Sequence, residues 1–227
     1  MEKITRIAID GPVGAGKSTI AEAAAKRLGF IHVDTGSLYR AIGVHCKENG
    51  CDVYDDSAVF EHIEKAGVDI SLRFTEGEQR VFVNGADFTD KIRTPEASML
   101  ASRVSANPRV REFLLELQRS FALNNSVIMD GRDIGTVVLP EAEIKIFLTA
   151  TPEERAKRRY DELTEKGAKT DYEEVLNDLN KRDYDDSHRA SAPLKRADDA
   201  VLVDTTGNAF EQSVEEIVGL INEKFNR

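Results

Sequence analysis

The chain has 227 residues, 41% hydrophobic and 32% charged, which is enough apolar material for a sizeable core in one large domain or two small ones, and not the composition of a disordered or fibrous protein. A formal net charge of −10 argues against general affinity for DNA, RNA or an anionic membrane, but not against a small anion held by a local arginine cluster. No apolar run reaches membrane-span length, and MEKITRIAIDGPVG lacks the features of a signal peptide, so the expected compartment is the cytoplasm.

Along the chain, apolar runs of strand length alternate with amphipathic segments of helix length, the pattern of an α/β fold with a parallel sheet. The first strand, ITRIAID, leads into Gly11-Pro12-Val13-Gly14-Ala15-Gly16-Lys17-Ser18, a match to G-x-x-x-x-G-K-[ST], which opens the helix KSTIAEAAAKRLG. Strand, loop and helix in this order are the setting a phosphate-binding P-loop requires. Its backbone N–H groups and the positive helix end face phosphate oxygens, with Thr19 closing the nucleotide-binding run. Lys17 is expected to reach the β- and γ-phosphates, and the Ser18 hydroxyl to bind Mg²⁺. Nucleoside triphosphate binding follows from this motif in this context.

FIHVD reads as the next strand, ending in Asp34 and Thr35. Cys46 and Cys51 fall on a helix and its exit; with only four histidines in the chain they read as reduced structural thiols. VDISLRF and RVFVNGADF alternate with period two and are joined by TEGEQ, so residues about 68–92 are expected to form an antiparallel hairpin inserted between parallel strands. SVIMDG, EIKIFLTA and AVLVDTTG complete the core strands; their nearly continuous apolar character suits burial on both faces. Helix starts are signalled by Thr151 with Pro152 and Glu154, by Thr170 with Glu173 and by Asn208 with Glu211, and stops by Gly29, Gly50 and Gly67. With no internal repeat or long linker, one domain spanning residues 1–227 with an insertion is the simplest organisation.

The fold alone does not choose among switches, motors and kinases. Asn180-Lys181-Arg182-Asp183 matches the guanine-reading N-K-x-D and Asp204-Thr205-Thr206-Gly207 the switch D-x-x-G. However, a D-x-x-G arises roughly once by chance in such a chain. The two motifs also occur in the wrong order, and NKRD ends a helix-patterned segment. A kinase accounts for more of the residues. Asp34 and Thr35, Asp130-Gly131-Arg132-Asp133 and Asp204 all follow apolar strands, at the carboxyl ends where open parallel sheets bind ligands. Arg155, Arg158 and Arg159 are spaced three and four apart on a helix, and Arg182 and Arg189 flank acidic residues; arginine forks stabilise transferring phosphate without needing deprotonation. Asp34 and Asp130 suit an outer Mg²⁺ shell or a turn and helix cap equally well.

GPVGAGKST, DTGSLYRA, ASRVSANPRVRE, DGRDIGTVV, TPEERAKRR and KRDYDDSHRASAPL stand in an order and at intervals that resemble the bacterial-type cytidylate kinases, over essentially the whole chain. The resemblance implies a P-loop nucleoside monophosphate kinase fold: a five-stranded parallel sheet flanked by helices, an inserted β-hairpin subdomain enlarging the monophosphate-binding region, and a short helical lid within residues about 152–190. It implies phosphoryl transfer from ATP, with Mg²⁺, to CMP or dCMP; from the charge, no nucleic acid or membrane partner is expected, and a monomer is the expected state. It assigns cytosine to Ser102, Arg111 and Asp133, the acceptor phosphate to Thr35, Arg40, Arg132 and Arg189, and the ribose to Asp186 with Arg182 nearby. A carboxylate at Asp133 can accept from the N4 amine of cytosine, whereas the O4 of uracil would repel it. The alternatives are a P-loop kinase for another acceptor, such as another monophosphate or shikimate, and a GTP-dependent switch.

Overall fold

The computed structural model describes residues 4–75 and 78–225. In chain order these form β1 (Arg6–Asp10), α1 (Lys17–Leu28), β2 (Ile31–Asp34), α2 (Gly36–Glu48), α3 (Asp56–Lys65), β3 (Ile70–Thr75), β4 (Glu78–Val83), β5 (Ala86–Asp87), α4 (Pro95–Ser105) and α5 (Pro108–Phe121). There follow β6 (Val127–Gly131), a π-helical turn (Ile134–Val138), β7 (Ile144–Thr149), α6 (Pro152–Glu165), α7 (Tyr172–His188), β8 (Val201–Asp204) and α8 (Phe210–Phe225). No helix among the described residues is long and apolar enough to cross a membrane.

All five expected core strands form, and they lie in one sheet in the order β2-β6-β1-β7-β8. β1 pairs in parallel with β6 and β7, and β7 with β8. Strands in the middle of such a sheet are covered on both faces, which is why VIMDG is buried along its whole length. At the sheet edge, β8 buries only Val203. Because β1 lies between β6 and β7, the chain leaves β1 toward one side of the sheet and later returns to its other side, a switch point at which polar loops open a crevice.

The chain divides into two compact units, Met1–Ile31 with Ser126–Arg227, and His32–Asn125. The first is built on Ile7, Ile9, Ile128, Ile146 and Leu148 of the sheet, packed with Ile20 and Ala24 of α1 and Val214, Ile217 and Ile221 of α8. The second packs Leu38, Ile42 and Cys46 of α2 against Val81 and Val83 of β4 and Val104 and Leu114 of α4 and α5. Here the expected hairpin appears as β3 and β4, and β5 adds a short third antiparallel strand. Residues 76–77 of its TEGEQ turn lie outside the described residues. Cys46 and Cys51 are free thiols, and burial pushes the Cys46 thiol up to about 12, so it behaves as a small apolar side chain.

The helix boundaries follow the sequence signals with two one-residue shifts. Thr151 caps α6 as expected, accepting from the Glu154 N–H at 3.3 Å. α7 is capped by Asp171 in place of Thr170; its carboxylate accepts from the N–H groups of both Glu173 and Glu174. A carboxylate is the better partner for the positive helix end, so the acidic neighbour takes the cap. α8 begins after Ala209, and Gln212 rather than Glu211 reaches back to accept from the Ala209 N–H at 2.9 Å.

One close approach in the second unit depends on a missing side chain. A Cβ at Gly43 of α2 would lie 2.6 Å from the Leu100 Cβ on α4. Gly43→Ala should therefore force the two helices apart and lower unfolding stability by about 1–3 kcal/mol, read from urea denaturation; an unchanged midpoint would show that the contact relaxes freely.

Candidate active site

The first unit places the P-loop at the carboxyl end of β1. Gly11 has φ 152, and a Cβ there would sit 1.9 Å from the Leu148 carbonyl oxygen, so only glycine can start the loop against β7. Lys17, the first residue of α1, is buried and folds back to donate to the Pro12 carbonyl at 2.7 Å. Burial, followed by the positive charge of Arg132, pushes its ammonium down to about 7.

Parallel pairing brings the carboxyl end of β6 beside this loop, with Ile9 opposite Asp130 and Asp10 opposite Gly131. The Ser18 hydroxyl donates to the Asp130 carboxylate at 2.7 Å. Arg132 Nε donates to Asp186 of α7 at 2.7 Å, and Arg189, at the end of that helix, lies 3.5 Å from Asp133. Burial opposes the charge of Arg132, but Asp186, Asp130 and Asp183 more than offset it and hold the guanidinium firmly protonated. The Asp133 carboxyl-bearing residue is 4% exposed. The three charged side chains of the DGRD stretch therefore divide between the P-loop serine on one side and the end of α7 on the other.

The three arginines of α6 do not converge. Arg155 is buried, and its guanidinium donates to the carbonyls of Ala150 at 3.0 Å and Val13 at 2.8 Å while pairing with Asp183 at 2.7 Å. It braces the P-loop backbone against α7. Arg158 donates to the Thr205 carbonyl at 2.7 Å and pairs with Glu154, which ties α6 to the loop following β8. Arg159 pairs with Glu162, and Arg182 with Asp178, each along its own helix. Neighbours in sequence stand about 100° apart around a helix, so Arg158 and Arg159 address different surroundings. The same contacts account for the two GTPase-like patterns: Asp183 of NKRD serves Arg155, and Asp204 of DTTG accepts from the Thr206 N–H at 2.9 Å to form a turn.

In the second unit, Thr35 precedes α2 and is buried, and Arg40 pairs with Asp34. Asp34 also accepts from the Ser37 N–H at 3.2 Å, the role of a turn residue. Gln79 of β4, not singled out by any sequence motif, accepts from the Asp34 N–H at 2.9 Å and donates to the Ser37 hydroxyl at 2.6 Å. It anchors the turn that carries Thr35 and Arg40 to the inserted sheet. Arg111 of α5 is buried, donates to the Ser105 carbonyl at 3.3 Å, and lies over the Tyr39 ring; Ser102 stands on α4, one turn before Ser105.

A P-loop with its lysine and serine, beside arginines and carboxylates at the neighbouring strand end, defines a P-loop phosphotransferase. The family model described as cytidylate kinase matches residues 7–223. The chain is 49% identical over 220 residues to a cytidylate kinase of Caldicellulosiruptor bescii, covering 97% of this chain and 96% of the relative. It is likewise 49% identical to a cytidylate kinase of Carboxydothermus hydrogenoformans, covering 96% of this chain and 98% of the relative. Among solved structures, an uncharacterized protein from Eubacterium ventriosum shares the fold with TM-score 0.54 at 14% identity, covering 97% of this chain and 99% of that one. The chain belongs to the cytidylate kinase family, enzymes of the nucleoside monophosphate kinase class.

Burial pushes the Lys17 ammonium down to about 7, and phosphate oxygens beside it favour its charged form. At pH 8, ATP binding should take up nearly one proton, read by titration calorimetry in buffers of different ionisation enthalpy. Lys17→Met should abolish the uptake; equal uptake in that variant would assign the proton to another group.

Proposed function

We propose that the protein transfers the γ-phosphoryl group of ATP to CMP or dCMP, giving ADP and CDP or dCDP. The observation that carries the reading is the shared end of β1 and β6, where Lys17 and Ser18 stand on one strand's loop and Arg132 and Asp133 on the next. The backbone N–H groups of the Gly11–Thr19 run, Pro12 excepted, hold the triphosphate, with Lys17 drawn from the Pro12 carbonyl to the phosphates. The attacking acceptor oxygen is already anionic, so the transfer is in line and needs neither a general base nor a covalent enzyme intermediate.

Ser18 and Asp130 are hard oxygen donors 2.7 Å apart, a pair that suits a small hard cation retaining most of its waters. Mg²⁺ held there would neutralise charge on the β- and γ-phosphates. This favours a cation-shell role for Asp130, whereas Asp34 is committed to its turn and to Arg40.

For the acceptor, we assign the phosphate to Thr35, Arg40, Arg132 and Arg189, the ribose to Asp186 with Arg182 nearby, and cytosine to Ser102, Arg111 and Asp133. Asp133 accepts from the N4 amine; a uracil O4 in its place would set two acceptors against each other. Arg159 and Arg182 are the phosphate-stabilising arginines of α6 and α7, while Arg155 and Arg158 act by holding the P-loop and the loop following β8. The segment joining α6 to α7 closes over the phosphates and excludes water during transfer. The protein works as a cytoplasmic monomer.

With ATP and Mg²⁺, ADP formation should be fastest with CMP among CMP, UMP, AMP and GMP; a flat response would overturn the assignment. Asp133→Ala should lower kcat/KM for CMP roughly 10- to 100-fold, the range for a lost hydrogen bond to a charged group. Its ATP affinity, measured by calorimetry, should stay within about twofold.

A further inference from the structure

Asp10 ends β1 immediately before the P-loop, yet its side chain does not serve that loop. It is 4% exposed, and its two carboxylate oxygens divide between two backbone donors beyond β6: Oδ1 accepts from the Ile134 N–H at 2.7 Å and Oδ2 from the Gly135 N–H at 2.7 Å. These N–H groups open the π-helical turn Ile134–Val138, where no earlier carbonyl of the turn can receive them. Asp133, just before them, has φ −143 and ψ 26, outside the ordinary helical and strand regions, and its side chain makes no cap to the turn.

The arrangement follows from the sheet. Because Asp10 lies opposite Gly131 in the β1–β6 pairing, its side chain comes within reach of the chain three and four residues further on. The space is closed around it: a Cβ on Gly135 would meet Asp10 Oδ2 at 3.3 Å and the Lys145 side chain at 3.1 Å. Burying a carboxylate beside another carboxylate is costly, and the two short bonds offset that cost only while both oxygens can accept.

We propose that Asp10 is a positioning residue for acceptor choice: its carboxylate clamps the Ile134–Gly135 backbone and so fixes the direction in which Asp133 presents its carboxylate to the base. The inference rests on the base-reading role given to Asp133. A neutral amide at position 10 can accept at its oxygen, but its NH₂ must face the other N–H, so Asp10→Asn opens the clamp without changing side-chain size. Protonation does the same, since a carboxyl O–H no longer accepts there. Burial pushes the Asp10 carboxyl up to about 6, against the pull of the Gly135 and Ile134 N–H groups; Asp133 raises it further and Lys17 lowers it. Its protonated form therefore gains ground as pH falls below about 6.

The test is the selectivity ratio, kcat/KM for CMP over kcat/KM for UMP, from which the fraction of folded enzyme and the ionisation of the acceptor phosphate both cancel. In Asp10→Asn the ratio should fall at least fivefold, mainly through a higher KM for CMP, and Asp133→Ala should lower it further. A ratio unchanged in Asp10→Asn but lowered in Asp133→Ala overturns the clamp alone. A ratio unchanged in Asp133→Ala overturns the base-reading role and the clamp's purpose together. Should Asp10→Asn not fold, the wild-type ratio between pH 8 and pH 5 decides: a decline centred near pH 6 supports the clamp, and a flat ratio overturns it.

Discussion

The parallel pairing of β1 with β6 is the constraint from which the rest of the site follows. Its register sets Ile9 against Asp130 and Asp10 against Gly131, so the loops leaving the two strands emerge side by side at one end of the sheet. In a parallel sheet both strands point the same way, and the polar ends of both meet the same crevice. A one-residue slip would turn Asp130 away from Ser18 and Asp10 away from the π-helical turn, because alternate side chains of a strand face opposite sides. What such a slip would break is the polar bonding at the strand ends, Ser18 to Asp130 and the Ile134 and Gly135 N–H groups to Asp10.

Around that junction the charges are mutually dependent. Lys17 is neutralised in part by burial and by Arg132, and Arg132 is held charged by Asp186, Asp130 and Asp183. Asp183 in turn anchors Arg155, whose guanidinium holds the Val13 carbonyl of the P-loop. An incoming phosphate thus enters a network of ion pairs already oriented in the protein, where donors need little reorganisation to meet developing negative charge. Arginine suits such positions because its fork makes several bonds at once and keeps its charge when buried.

Each unit holds its own set of the residues assigned in the proposal. The first contains the P-loop, the DGRD stretch and α7 together with the parallel-sheet core. The second carries Thr35, Arg40, Ser102 and Arg111 on helices packed around its own core, and Gln79 ties its inserted sheet to the turn bearing Thr35 and Arg40. This gives the insertion a physical purpose that its period-two pattern alone does not reveal.

Much of the molecule was legible from the order of its residues. The five core strands and the P-loop announce themselves because their signals are local: a continuous apolar run, and glycines at positions where the backbone must curl around phosphate. The Thr151 cap was readable for the same reason. The α7 cap was displaced by one residue because Thr170 and Asp171 stand side by side at the same N–H groups and the carboxylate is the stronger acceptor there. Partner choice across the fold was beyond the sequence. Nothing in TPEERAKRR tells that Arg155 braces the P-loop while Arg158 reaches the loop following β8, nor does DGPVG tell that Asp10 bonds to a backbone more than a hundred residues away. Residue order determined the elements and the chemistry at the strand ends; sheet register and helix packing decided which of those groups meet, because such contacts depend on positions brought together only by the closed core.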